Sequence, residues 1–337
     1  MENDNKVSKI EAARREYADW CSAVGIDNID KLNSVLLDGQ AVRLINLCEA
    51  RQERKYAEIA NQIFWHKNKT RIVMMSGPSS SGKTSSSLRI AQQCAVLGLS
   101  PKVIELDNYF VDRERTPKDG NGEYDFESLG AMDVKLLNEN LNDLIAGREI
   151  IVPKYDFKNG RSILDESRRM KLEPGDMLFM EGIHALNPDL TPDVDRNRIY
   201  NVYISALSAL PGGTKEHGST TDKRLLRRIV RDNRVRGISP EENILRWPSV
   251  RRGETVNIFP FEENARVVFN SSTLYDLPLL KYYAEPLLYG VTEASPAYQK
   301  ARDLLKFIEP VVTLKPAEIA AIPPTSIMRE FIGGQTL

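Results

Sequence analysis

The run Gly77-Pro78-Ser79-Ser80-Ser81-Gly82-Lys83-Thr84 sets two glycines ahead of a lysine and a hydroxyl residue. That order suits a chain of phosphates. Concentrated negative charge is well met by a ring of backbone N–H groups at the start of a helix, and glycine lets the backbone approach closely. Lys83 is then placed to reach the β- and γ-phosphates, and the Thr84 hydroxyl to sit on a magnesium ion. The chemistry implied by residues 77–84 is binding of a nucleoside triphosphate, ATP with Mg2+.

Such a loop needs a carboxylate at the end of a neighbouring strand to help hold the metal, usually through water. Glu181 follows the apolar run Met177–Met180, and Asp107 follows Val103–Leu106. A single acid is more often a helix cap or a solvated loop residue. Placement at the carboxyl ends of parallel strands, where such sheets bind ligands, favours a role in the site. Transfer to a small acceptor also asks for a base beside a hydroxyl and an arginine-bearing lid over the moving phosphoryl group. Arg224, Arg227, Arg228, Arg231, Arg234 and Arg236 crowd one basic segment that fits the lid. A solvated basic face or an RNA-contact patch is the plainer alternative.

The elements that must carry these residues can be read from periodicity. Residues 72–75 form a short apolar run that fits a buried strand, with a helix from Lys83 to about Leu97 behind the loop. Further strands are predicted at 103–106, 150–152, 177–180 and 199–204, with helices over 131–146 and 222–236. Strands alternating with helices indicate an α/β fold, a mainly parallel sheet covered on both faces. Residues 1–70 read as a helical N-terminal extension, with helices around 12–24, 41–47 and 55–66. The loop-bearing domain is expected over 71–290, and 291–337 as a helical extension, with a helix near 296–308, packed on the core or at a subunit contact of a homo-oligomer.

Totals narrow the class. Lys and Arg number 46 against 47 Asp and Glu, so nothing in bulk charge points to a nucleic-acid partner. The three cysteines, Cys21, Cys48 and Cys94, form no paired motif, which argues for a reducing compartment. The charged start is no secretory signal and no stretch is apolar enough to span a bilayer, so a cytoplasmic protein without a membrane partner is expected. No Asn-Lys-x-Asp guanine-reading motif follows the loop.

From Arg71 to about Leu280 the chain resembles the uridine kinase/phosphoribulokinase family of P-loop kinases. The resemblance lies in GPSSSGKT (77–84), ELDNYF (105–110), YDFES (124–128), VPKYDF (152–157), FMEGIHAL (179–186) and RRIVRDNRVRG (227–237). A bacterial-type subgroup of uridine kinase-like nucleoside kinases is similar over almost everything from about residue 24. It shares DRERTPKDGNGEYDFESL (112–129), STTDKRLLRRIVRD (219–232), RWPSVRRGE (246–254), IFPFEENA (258–265) and SIMREFIGG (326–334). Longer members carry a front end like the accessory domains of threonyl-tRNA synthetase, of which a helical stub is expected here.

The resemblance implies roles by motif. Asp107 matches a general base on the 5′-hydroxyl near magnesium, and Asp125 an acid that bonds ribose hydroxyls. Tyr155 matches an aromatic lining the nucleoside pocket, and Glu181 the strand-end acid. Arg228, Arg231 and Arg236 match arginines that hold nucleoside and phosphates. Two positions depart from the pattern. Gly160 stands where uridine/cytidine kinases have a base-reading histidine, and Trp247 lies near their glutamine; Trp247 could stack on a base or anchor the core. The implied activity is ATP- and magnesium-dependent phosphorylation of a pyrimidine nucleoside, uridine or cytidine, at its 5′-hydroxyl. A kinase for a sugar, polyol or sugar phosphate is the nearest alternative, and a nucleotide-binding regulatory or RNA-associated protein without turnover the more distant one.

Overall fold

The protein is seen here as a computed structural model that describes residues 7–118, 120, 122–207 and 220–337. The first six residues of the charged start, positions 119 and 121 of the 112–129 motif, and Ser219 lie outside the described residues.

Three helices come first: α1 (Lys9–Ala23), α2 (Ile29–Leu37) and α3 (Ala41–Trp65). The two short helices expected around 41–47 and 55–66 are one continuous α3. Its turns between them are polar, yet Cys48, Gln52 and Tyr56 keep the buried stripe unbroken. Strand β1 (Ile72–Ser76) then enters the sheet, followed by α4 (Lys83–Val96), β2 (Ser100–Glu105) and α5 (Val134–Ile145). Four short strands follow: β3 (Ile150–Ile151), β4 (Lys154–Asp156), β5 (Arg161–Ile163) and β6 (Arg169–Met170). The remaining sheet strands are β7 (Asp176–Glu181), β8 (Ile199–Ser205) and β9 (Val267–Asn270). Helices α6 (Thr220–Arg236) and α7 (Pro240–Asn257) lie between β8 and β9. The chain closes with α8 (Asp276–Tyr289), α9 (Tyr298–Ile308), α10 (Pro316–Ala320) and α11 (Met328–Ile332).

The central sheet has the order β2-β7-β1-β8-β9 with every pairing parallel. Residues alternate across it as period-two geometry requires. Ile72 and Met74 of β1 face the cluster built with α5, while Val73 and Met75 face the one built with α3 and α4. Burial on both faces explains why β1 and β7 read as unbroken apolar runs. The strand expected at 150–152 does not join this sheet. Residues Ile150 and Ile151 pair antiparallel with Met170 and Arg169 in a side ribbon, and β4 with β5 in another.

A third apolar core joins the two ends of the chain. Tyr17, Cys21, Leu32 and Ile45 from the first helices share it with Leu225 of α6, Leu280 of α8, Leu304 of α9 and Phe331 of α11. Cys21, Cys48 and Cys94 are buried free thiols. Among the described residues, no helix is long and apolar enough to cross a membrane.

Candidate functional site: a phosphate loop facing an aromatic wall

The loop that leaves β1 is shaped by what has no room beside it. A Cβ on Gly77 would lie 1.9 Å from the Ile204 carbonyl oxygen, so only glycine lets the loop cross β8 this closely. Ser80 and Gly82 take the left-handed region, with φ of 57° and 84°, and turn the chain into α4. Gly82 is the N-cap of α4 and supplies no side-chain cap, so the amides of Lys83 and Thr84 present the positive end of the helix to the cavity. Lys83 Nζ rests on the Pro78 carbonyl at 3.3 Å.

Parallel register brings the acids to the same edge. Met75 pairs with Glu181, and Glu105 pairs with Glu181 from the other side, so Glu181 is the last residue of the central strand next to the loop. Its carboxylate accepts a hydrogen bond from Thr84 Oγ1 at 2.8 Å. After β2 the chain tightens into a 3-10 turn over Leu106–Tyr109, which carries Asp107 across the same edge. The Asp107 side chain opens onto the cavity, yet protein walls hem it in, and that desolvation raises its pKa against the opposing pull of Lys83. Glu181 is pushed up to about 7 by burial, with neighbouring Asp107 adding to the shift and Lys83 opposing it.

These features open into one cavity of about 880 Å³. Ser79, Ser80, Gly82, Lys83, Thr84, Asp107 and Glu181 line its phosphate end. Gly77, Pro78 and Ser81 shape the loop from behind and do not line the cavity. The Ser81 carbonyl instead accepts from Ser271 Oγ at 2.5 Å.

The arginine segment divides into two groups. Arg228, Arg231 and Arg236 line the cavity, as expected. All three reach one buried carboxylate, Asp232, at 3.4, 2.8 and 3.5 Å. Arg228 also donates to Ser79 Oγ at 2.9 Å. The other three hold the structure together. Arg224 is buried against Glu254 and Arg227 against Asp276, and Arg234 bonds the carbonyls of Glu330 and Phe331. Glu254 does double service: besides Arg224 it accepts from Ser79 N–H at 2.9 Å, tying α7 to the phosphate loop. Those guanidinium partners hold its carboxyl below the usual range despite burial.

The opposite wall is aromatic. Phe110, Phe126, Tyr155 and Phe157 line it and meet edge to face, with centroids 5.4 Å apart for Phe110–Tyr155 and 5.0 Å for Tyr155–Phe157. Tyr155 Oη finds no partner in hydrogen-bond geometry among the described residues, although the Arg113 guanidinium is close enough to act on it. Arg113 lies over Gly160, where a Cβ would come within 2.7 Å of its guanidinium carbon, and donates to the Phe157 carbonyl at 2.8 Å. Trp247 belongs elsewhere: it is buried in α7 under Arg224 and does not line the cavity.

Asp125, which the resemblance implied for the acceptor, does not line the cavity, whereas Glu127 two residues on does. Asp125 Oδ1 accepts the Glu127 N–H at 3.1 Å, an Asx-type turn, and its side chain does not line the cavity. The turn aims Glu127 inward instead. Burial lifts the Glu127 carboxyl to about 7, with Arg228 pulling the other way. Among the residues that sequence reasoning missed are Glu127, Glu254, Arg113 and Glu330, which line the cavity, with Phe110, Phe126 and Phe157 of the aromatic wall, and Asp232, which gathers the arginines. Each lies inside a stretch on which the family resemblance rests, at 105–110, 112–129, 152–157, 227–237, 246–254 or 326–334, and nothing in its local pattern singled it out within that stretch.

Metal fit follows from the donor set. Thr84, Glu181 and Asp107 offer hard oxygen ligands, and burial, with a smaller push from a neighbouring acid, raises the pKa of both carboxyls, so a bound cation would favour their charged forms. No cluster of three or more acidic, histidine or cysteine ligands occurs among the described residues. The protein would therefore supply part of a shell that phosphate oxygens and water complete, as suits magnesium.

A parallel sheet with a phosphate loop at its carboxyl edge, joined to a lysine, strand-end acids and inward arginines, defines a P-loop phosphotransferase. The model of the phosphoribulokinase/uridine kinase family matches residues 72–190. A uridine kinase of Macrococcus caseolyticus is 31% identical over 186 residues, 55% of this chain and 80% of the relative. That of Staphylococcus haemolyticus is 30% identical over 181 residues, 54% of this chain and 77% of its own. A solved structure described as a possible uridine kinase from Bacillus stearothermophilus superposes with a TM-score of 0.44 at 20% identity, over 64% of this chain and 98% of that one. The chain belongs to the phosphoribulokinase/uridine kinase family, and it is a phosphotransferase with a hydroxyl acceptor.

Proposed function

We propose that the protein transfers the γ-phosphoryl group of ATP, taken as its magnesium complex, to the 5′-hydroxyl of a pyrimidine nucleoside, uridine or cytidine. The observation that carries this reading is the shape of this cavity. A phosphate end and an aromatic end face each other, and Asp107 lines the same space beside Lys83. The aromatic wall suits a planar base. In this reading Glu127, which lines the cavity, accepts the ribose hydroxyls, the role the family resemblance implies for Asp125.

Asp107 receives the proton of the attacking hydroxyl; its raised pKa makes it a stronger base than a free aspartate. Lys83 and the first amides of α4 hold the triphosphate. Arg228, Arg231 and Arg236, splayed from Asp232, offer guanidinium forks to the phosphoryl group in transit. Thr84 and Glu181 would hold a magnesium ion, which would supply positive charge to the phosphates as negative charge develops there. Positioning and electrostatics account for most of the rate in such a site.

One observation favours a second reading. A guanidinium, Arg113, occupies the wall at Gly160 where a base-reading imidazole was expected, and a guanidinium also suits an anionic acceptor such as a sugar phosphate. A coupled assay of ADP release over nucleosides, sugars, polyols and sugar phosphates separates the two. Turnover with uridine or cytidine supports the first reading; turnover with a sugar phosphate and no nucleoside overturns it.

A further inference from the structure

The family model matches residues 72–190, yet one residue lining the cavity comes from the far end of the chain. Glu330, on α11, lines the cavity together with Lys83, Thr84 and Glu181. Its Oε2 accepts from Ser85 Oγ at 2.6 Å and from Ser85 N–H at 3.3 Å. Ser85 is the third residue of α4, so its amide is one of the first-turn donors that have no partner inside the helix. Gln335 Nε2 donates to the same serine hydroxyl at 2.7 Å. Ile327 presses on Gly82 so closely that a Cβ there would lie 2.3 Å from its Cδ1.

The tail is held from the other side as well. Arg234 of α6 donates to the carbonyls of Glu330 and Phe331 at 3.2 and 3.3 Å, and the Arg227 guanidinium lies 5.0 Å from the centroid of the Phe331 ring. Ser326, where this stretch begins, donates to Glu49 of α3 at 2.9 Å. The segment from Ser326 to Gln335 is thus a strap from the arginine helix to the phosphate loop.

We propose that this strap is a working wall of the nucleotide site, in which Glu330 is a positioning residue that holds the first turn of α4 and biases the site toward metal-complexed over bare triphosphate. The inference rests on reading the cavity as the nucleotide site. Bare ATP brings about two more negative charges than its magnesium complex. A fixed carboxylate bonded to the same first turn of α4 as the phosphate amides repels the bare form more strongly. The same carboxylate fixes the backbone that aims Lys83 and Thr84, so its charge and its geometry act together.

Binding of a fluorescent ATP analogue, with and without magnesium, tests this in the full chain. Wild type gives a ratio of the two affinities. Glu330→Gln, which keeps the shape and removes the charge, lowers that ratio by about tenfold, the size of one charged contact in a partly solvated site. Glu330→Asp, which keeps the charge, retains the ratio to within about threefold. A role confined to holding the fold would move the Gln and Asp variants alike. An unchanged ratio in Glu330→Gln overturns the proposal, and Glu330→Ala gives the same test should the Gln protein prove unstable. Lys83→Ala is the control: if it binds the analogue as wild type does, the cavity is not the nucleotide site and the reading beneath the proposal fails first.

Discussion

Glu127 gives the account its sharpest pH signature. Burial raises its carboxyl from the ordinary 4.5 to about 7, so near neutrality it is half protonated. A protonated carboxyl can accept fewer hydroxyl protons, and it is the ionised form that suits a ribose diol. Between pH 6 and 8 the ionised fraction rises from roughly a tenth to roughly nine-tenths, so kcat/KM for the acceptor climbs about tenfold over that window. The sign for stability is the reverse. A raised pKa contributes stability that is fully present below 4.5 and lost as pH rises through about 7, so acceptor affinity grows as the contribution to stability fades. Initial rates at varied acceptor and saturating ATP, from pH 5.5 to 8.5, measure the effect; the same series at varied ATP isolates the acceptor end. Glu127→Gln loses the rise and, at the alkaline limit, about a hundredfold in kcat/KM for the acceptor, near 3 kcal/mol for a charged pair of hydrogen bonds. An equal rise in Glu127→Gln, or a flat wild-type profile, would refute the assignment.

Asp232→Asn removes the one buried charge that gathers Arg228, Arg231 and Arg236. It costs about 3 kcal/mol in urea denaturation and about a hundredfold in kcat, because three guanidinium groups lose their common anchor; unchanged kcat would show that the arginines are placed by something else. Gly77→Ala drives a Cβ into the Ile204 carbonyl and lowers stability by about 3 kcal/mol, read as a shift in melting temperature, with no shift contradicting the packing described. Arg113→Met raises KM for the acceptor by about tenfold and leaves KM for ATP within about twofold, whereas parallel changes in both would remove Arg113 from the acceptor wall.

What the sequence revealed was local. The phosphate loop is contiguous, and Asp107 and Glu181 sit at the ends of runs whose apolar character marks them as buried strands, so order along the chain was enough. The arginines of α6 were visible as a cluster, but helical periodicity alone does not tell an inward guanidinium from a buried one. Arg224 and Arg227 are buried because Glu254 and Asp276, far along the chain, neutralise them. The exchange of Asp125 for Glu127 turned on two residues and the direction of one Asx turn. Helix α7 was hidden by Pro248 in its interior, and β9 by its four-residue length. Glu330 sat inside the shared SIMREFIGG stretch, but its role was invisible because it meets Ser85 across 245 residues of sequence.

The central claim is that this cavity moves a phosphoryl group from ATP to the 5′-oxygen of a pyrimidine nucleoside. Phosphorus NMR of a reaction containing the protein, ATP, magnesium and uridine reads both products at once. ADP and uridine 5′-monophosphate are expected in equal amounts, and neither when 5′-deoxyuridine replaces uridine. ATP left intact with uridine and cytidine, or a phosphate carried on a ribose 2′- or 3′-oxygen, would contradict it.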